Sequence, residues 1–247
     1  FLLHSIYSLY SEIVKYIYVL NINYNLRKSE SQKESEIVKN YCYGKNINLI
    51  SRNIDFMPEG KSIQAYARKI RLEEASKIKN EFDIDYIFTG HHIGDYIETE
   101  FYKIFMGNGL LSLTNFNFSN NFFIRPLLNI YKKDITDYLD KNSIPYGVDS
   151  SNLENKYKRN IIRNKIFPVI SEYFPYFFKN SFTSFRNISS TSYILIKNFI
   201  KHNDWCAVKN NTLIIKDDFY KLSSEDKQTI IYIFFNLYLK DVRFSRG

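Results

Sequence analysis

Between residues 1 and 109, short β-rich runs alternate with stretches of helical periodicity, and this alternation limits the fold more than any other feature of the chain. Leu2, Leu3, Ile6, Leu9 and Ile13 recur on one face, so residues 1–13 read as a helix. Residues 16–22 form a β-rich run that reads as a strand. Ser31 followed by Glu34 has the form of a capping box and predicts a helix that runs to about Gly44. A strand is expected over 47–54, and a long charged amphipathic helix over 61–82. A further strand at 86–89 leads into a helix over 93–106, which Gly107-Asn108-Gly109 stops. Strand and helix in turn, at such short spacing, predict an open parallel α/β sheet. In sheets of that kind, ligands sit beyond the carboxyl ends of the strands. Gly90-His91-His92 falls at one such end.

From Tyr131 onward the pattern changes to helices. They are expected at 131–141, 159–171, 181–201 and 224–239, with a polar turn region at 144–152 and a hairpin-like piece at 205–215. A boundary near 172–185 divides the chain into an α/β domain over 1–175 and a helical domain over 185–247.

Composition narrows the function classes. The net charge is +8 and the isoelectric point about 9.2. A basic surface suits a polyanion, since neutralising phosphates releases condensed counterions. The two cysteines, Cys42 and Cys206, form no CxxC pair, which rules out a disulfide scaffold and a cysteine-rich zinc or iron–sulfur site. A reducing cytoplasm fits them best. No run reaches the ~18 apolar residues of a membrane span, so no membrane association is expected.

The stretch Thr89-Gly-His-His-Ile-Gly-Asp-Tyr-Ile-Glu-Thr99 carries the chemistry. With a helix starting near His92, the residues His91, Asp95 and Glu98 share a face at offsets of four and three. Two readings of this cluster stand side by side. His, Asp and Glu at helical spacing can bind zinc or iron. Alternatively, the histidines can cap a helix or satisfy backbone carbonyls while the acids are solvated.

The segment from 89 to 113 also resembles the HHxDDxxET and RxxxGxGLxGL motifs of the tRNA(Ile)-lysidine synthases, which belong to the N-type ATP pyrophosphatase group. Four further segments, in the same order, are similar to motifs of that family. Asn21 to Arg27 resembles HVNHGLR. Ser62 to Arg71 resembles Q-A-x-A-R-x-x-R, Phe123 to Leu128 contains the RPLL match, and Pro145 to Asn152 with Arg159 to Arg163 resembles P-x-x-x-D-x-S-N…R-N-x-x-R. Order and spacing hold from residue 1 to about 170. The chain departs from the family at three motif positions. Gly94 stands where HHxDD has its first acid, and Tyr24 and Asn25 stand where HGLR has His and Gly. The family's phosphate-binding loop, SGGxDS, does not occur; Phe1-Leu2-Leu3-His4 matches the residues that follow it. A fragment lacking that loop and the strand before it, and therefore inactive by itself, is the expectation.

The resemblance implies a Rossmann-like fold of the HUP (adenine nucleotide alpha hydrolase) type, a parallel sheet with helices on both faces, followed by a smaller, mainly helical domain. It also implies a reaction. ATP adenylylates the wobble cytidine of a CAU-anticodon tRNA(Ile) at carbon 2 and releases pyrophosphate. The amine of L-lysine then displaces AMP, giving lysidine. ATP with Mg²⁺ is the implied cofactor set, and no metal held by the protein itself is expected. tRNA(Ile) and L-lysine are the implied partners; the sequence does not fix the oligomeric state, and a homodimer is one assembly it allows.

By the same resemblance His91, His92, Arg68 and Arg163 are the candidate catalytic residues. The histidines suit phosphate orientation or proton transfer near neutral pH. Asp95, Glu98, Arg125, Arg159, Asn23 and Arg71 are the candidate substrate-binding residues. Carboxylates accept from a cytosine amine or hold an ammonium, and the arginine fork matches phosphate oxygens. One of Arg68 and Arg71 is expected at the site, the other in an ion pair with Glu73 or Glu74. Lys156-Tyr157-Lys158-Arg159 is a candidate tRNA contact. Three other functions compete with ligation. They are a tRNA-binding remnant without activity, a tRNA 2-thiolation enzyme, and a metal hydrolase on His91, His92, Asp95 and Glu98.

Overall fold

The computed structural model describes residues 1–25, 28–54, 63–108, 119–120, 122–147, 157–201, 205–209 and 212–238. Packing divides the chain into two units. Phe1–Asp95 with Phe118–Asn164 makes the first, and Tyr96–Asn117 with Lys165–Gly247 the second.

In the first unit the expected alternation is present. Helix α1 (Leu2–Leu9) is followed by a 3₁₀ turn (Ser11–Tyr16), strand β1 (Tyr18–Asn23), α2 (Lys28–Gly44), β2 (Asn48–Asn53) and α3 (Ile63–Glu81). Then come β3 (Ile87–Phe88) and α4 (Ile93–Phe105). The single helix expected over 1–13 breaks at Tyr10, whose φ of −140° and ψ of 49° are not helical. α2 starts at Lys28, so Ser31 and Glu34 lie inside the helix and do not form its cap. β1 and β2 pair in parallel from Tyr18↔Asn48 to Asn23↔Asn53. Crossing back through α2 is what a parallel pair requires.

A strand with no signal of its own lies further on. β5 (Phe123–Ile124) is two residues long and pairs in parallel with β3, Phe88 opposite Ile124, and antiparallel with β4 (Ser119–Asn120). The described strands of this unit thus form two sheets, β1-β2 and β3-β5-β4. The parallel register of β3 and β5 brings the residues that follow each strand to the same edge. His91 and Arg125 both lie just past that edge, and the Arg125 charge acts on His91. The unit continues with α5 (Lys132–Lys141), α6 (Lys158–Ile161) and most of a five-residue π-helical turn (Ile162–Ile166). Cys42, Ile47, Ala75, Ile78, Ile93, Leu127, Leu128, Leu139 and Ile162 are its buried apolar residues.

The second unit contains the rest of α4, then α7 (Phe167–Tyr173), α8 (Phe177–Lys201), the hairpin β6 (Cys206–Lys209) and β7 (Thr212–Ile215), a 3₁₀ turn (Asp217–Lys221) and α9 (Ser224–Tyr238). Aromatic rings hold it together. Phe101 lies 5.3–5.9 Å from the rings of Phe105, Phe167, Phe177 and Phe185, mostly tilted or edge-on, as ring quadrupoles favour. Beneath the hairpin, Trp205, Leu222 and Ile231 pack on the buried Phe219 and Ile230. The side-chain hydroxyl of Ser223 accepts the Asp226 N–H at 3.1 Å and so caps α9.

Candidate functional site

α4 begins immediately beyond the end of β3, and its first turn organises the candidate site. The Ile93 N–H donates to the Ile130 carbonyl at 3.1 Å. His92 Nδ1 accepts the N–H of Gly94 at 3.0 Å and that of Asp95 at 3.4 Å. In return, Asp95 Oδ2 accepts the His92 N–H at 3.0 Å. This is a reciprocal cap, with histidine in the place that serine or threonine usually takes. The amide donors that open the helix are thereby satisfied from within the protein.

His92 thus takes the capping role, one of the two alternatives open from the sequence. A ring nitrogen that accepts two N–H groups carries no proton, so the neutral tautomer with its proton on Nε2 fits the geometry. Burial pushes the His92 pKa down; Asp95 opposes this, and the charges of Arg163 and Lys132 add to it.

His91 does different work. Its Nδ1 shares a hydrogen bond of 2.9 Å with Thr89 Oγ1, which fixes the ring over the end of β3. Burial pushes its pKa down to about 4; Asp95 pulls upward, and Arg125, Arg71 and Arg68 pull further down. The three arginines come from separate pieces of chain, Arg68 and Arg71 from α3 and Arg125 from the end of β5. Arg125 is 8% exposed, and burial, then the Arg68 charge, lowers the pKa of its guanidinium. A neutral imidazole with three guanidinium groups acting on it makes an electropositive place suited to an anion.

Asp95 joins the site to its far side. Its Oδ1 accepts Arg163 Nη2 at 3.3 Å. Arg163 projects from the π-helical turn, a distortion that recurs at functional sites. Arg159 sits half-buried on α6, one turn earlier. Asn23 ends β1, opposite Asn53, and its Oδ1 accepts the Asn25 N–H at 2.9 Å. Glu98 lies on α4 beyond the unit division, 4% exposed. Glu73 and Glu74, expected to hold one of Arg68 and Arg71, are instead taken by Lys69, and by Arg52 and Lys77. The reason is helical spacing and strand proximity: Lys69 lies four residues before Glu73, Lys77 three after Glu74, and Arg52 reaches across from β2.

Among the described residues no group of three or more His, Cys, Asp or Glu stands where it could hold a metal ion. The cluster expected of a metal hydrolase is therefore not assembled by these side chains. Asp149 to Asn152 and Lys156, named from the sequence, lie outside the described residues. Thr89 was not singled out in the sequence, although its position two residues before His91 is the signal that could have found it.

Two departures from the family motifs have local explanations. Asn25 adopts φ +50°, a left-handed conformation that glycine takes freely and asparagine better than most others. Tyr24 donates its hydroxyl to the Ala67 carbonyl at 2.9 Å, tying the end of β1 to α3 beside Arg68.

Residues 1–170 match the ATP-binding PP-loop domain. The chain belongs to the PP-loop family. Among its relatives are the tRNA(Ile)-lysidine synthase of Francisella philomiragia, 30% identical over 87% of this chain and 54% of that protein, and that of Staphylococcus aureus strain MRSA252, 34% identical over 69% of this chain and 41% of that protein. This PP-loop chain therefore spans about half the length, or less, of the curated relatives it matches. A solved structure, the U34-tRNA thiolase NcsA from Methanococcus maripaludis with its [4Fe-4S] cluster, superposes with a TM-score of 0.58 over 70% of this chain and 61% of that one, at 12% identity. That likeness shows the fold, a Rossmann-like α/β arrangement of the HUP type. No helix among the described residues is long and apolar enough to cross a membrane.

Proposed function

We propose that this chain is the PP-loop half of a tRNA(Ile)-lysidine synthetase, a cytoplasmic ligase that uses ATP to join L-lysine to carbon 2 of the wobble cytidine in a CAU-anticodon tRNA(Ile). What supports this reading is that the charges of Arg125, Arg71 and Arg68 act on His91 just past the carboxyl end of β3, and that all four lie in segments that match the family motifs. Adenylylation transfers AMP to the cytidine oxygen and expels pyrophosphate. Cations placed where the leaving charge develops lower that barrier. Arg68, Arg71 and Arg125 supply those charges. His91, neutral at physiological pH, donates or accepts a hydrogen bond at a phosphate oxygen without adding charge.

Attack by the lysine amine displaces AMP in the second step. Asp95 suits the ammonium or the cytosine amine, with Arg163 holding the carboxylate in place, and Glu98 is assigned to the same substrate side. Arg159 and the basic surface are assigned to tRNA phosphates. Mg²⁺ enters with ATP, held by the phosphates, since such ions keep most of their ligands from water and phosphate. Of the competing readings, 2-thiolation is the less favoured: Cys42 is buried and no CxxC pair exists to hold a cluster.

The test is pyrophosphate release from ATP by the protein as the cell makes it, with a CAU-anticodon tRNA(Ile) transcript and L-lysine. Release that requires the transcript, with lysine appearing in the tRNA, supports the reading. Binding of the transcript with no ATP turnover supports the remnant instead.

A further inference from the structure

The first turn of α4 is built around a missing atom group. A Cβ added to Gly94 would stand 2.9 Å from His92 Cε1 and 3.1 Å from His92 Nδ1. Cβ atoms of folded proteins essentially never sit that close to another atom, so a side chain at 94 requires the imidazole to shift from the place it holds here. The same imidazole accepts the Gly94 and Asp95 N–H groups. The resemblance to HHxDD places an acid at this position, and that acid could not share the space with the ring as it lies here.

We propose that Gly94 is the positioning residue of this turn: lacking a Cβ, it admits the His92 imidazole over the start of α4 and commits the Nδ1 of that ring to capping, so that the two histidines of the pair take separate roles. Three neighbours support this division. Asp95 closes the reciprocal cap through the His92 N–H, and its Oδ2 stands 3.6 Å from His92 Nε2. Arg163, from the π-helical turn, holds the other carboxylate oxygen. Lys132, at the start of α5, bears on the ring from a third element. These are the charged groups acting on His92. Two cations and two N–H donors favour the neutral ring, and one carboxylate opposes them. The division of labour between the two histidines rests on the ligase reading above; the cap and its dependence on Gly94 do not.

The experiment uses the whole chain labelled with ¹⁵N-histidine. There are four histidines, so the ring signals can be assigned by single substitutions. Expected is a neutral His92 with Nδ1 unprotonated and Nε2 protonated. In Gly94→Ala the ring leaves the helix end, the tautomers mix and its pKa rises, while the His91 signals stay put. Thermal melts give a second readout that does not depend on the spectra. Gly94→Ala is expected to lower Tm in the native background, because the cap is lost. In a His92→Asn background it is expected to raise Tm, because the shorter amide caps without occupying the space and alanine then favours the helix over glycine. A proton on His92 Nδ1 in the native chain would overturn the proposal. So would a Tm change from Gly94→Ala of the same sign in both backgrounds.

Discussion

Glu100 is an acid in a place that should not hold one, and its removal has a calculable effect. It is 0% exposed on α4. Its Oε1 accepts Lys103 Nζ at 2.7 Å, and among the described residues its Oε2 finds no hydrogen-bond partner. Burial raises its pKa above the ordinary 4.5, and Lys103 only partly offsets this. The Lys103 side chain is 18% exposed, so the pair is screened from water on most sides. Taking away one member of a buried pair typically costs about 3–5 kcal/mol, whereas replacing both with apolar side chains of similar size is often neutral or better. Because the Lys103 amine keeps some contact with water, we place Lys103→Met at about 2–4 kcal/mol at pH 7. In a chain of this size that is a fall in Tm of roughly 5–15 °C. Glu100→Leu with Lys103→Met should recover the loss to within about 1 kcal/mol of the native chain.

The pH dependence follows from the sign of the shift. With the folded pKa raised, the fold is favoured while the carboxyl stays protonated, below the unfolded value. That advantage is lost as pH rises through the folded pKa. The Lys103→Met penalty should therefore shrink as the pH is lowered toward 4.5. Urea and thermal denaturation of the two variants across pH 4.5–8 reads this directly. A Lys103→Met penalty that is absent at pH 7, or equal at both ends of the range, would refute the argument.

Three further outcomes are expected. Asp95→Ala should remain folded but lose about 1–2 kcal/mol, the sum of one cap bond and a partly exposed ion pair; a double-mutant cycle with Arg163→Met should show a coupling of roughly 0.5–1 kcal/mol, while ligation activity is lost. Asn25→Gly should be neutral or slightly stabilising and Asn25→Ala destabilising by about 1 kcal/mol, since φ is +50° there; chemical denaturation separates the two. His91, with a pKa near 4, should stay neutral where an ordinary histidine protonates. A depressed folded pKa means its contribution is full above the unfolded value near 6.5 and is lost as pH falls through about 4. That loss is at most about 3 kcal/mol, and His91→Gln should abolish it in acid denaturation curves.

The parts of this architecture that the sequence displays are those that obey a period. The alternation of β1, α2, β2, α3 and α4 was legible because each stretch is long enough to show one; β3, two residues long, was read from the short apolar run between α3 and Gly90. β5 was not, because its two residues lie outside that alternation, yet its parallel pairing with β3 sets Arg125 at the same edge as the residues that lead to His91. The cluster at 91–95 was legible as a candidate site, since two histidines and an acid gather just past a strand end. The separate roles of the two histidines were not. That division depends on where the Gly94 Cβ would fall, a distance and not a pattern. Gly94 and Asn25 read as losses from a motif in one dimension. In three, one makes room for a ring and the other tolerates a left-handed turn. Arg163 was named from its motif, but its hold on Asp95 depends on a π-helical turn that no local signal announces.

The central claim is that the arginine and histidine cluster at the end of β3 serves ATP-driven attachment of lysine to tRNA. The most direct test is nucleoside mass spectrometry of a CAU-anticodon tRNA(Ile) transcript, incubated with the protein as the cell makes it, ATP, Mg²⁺ and isotopically labelled L-lysine. The account predicts that the wobble cytidine gains the mass of labelled lysine less one water, and that the product falls at least tenfold with His91→Ala or Arg125→Ala. An unmodified cytidine, a sulfur-bearing one, or full product from both variants would contradict it.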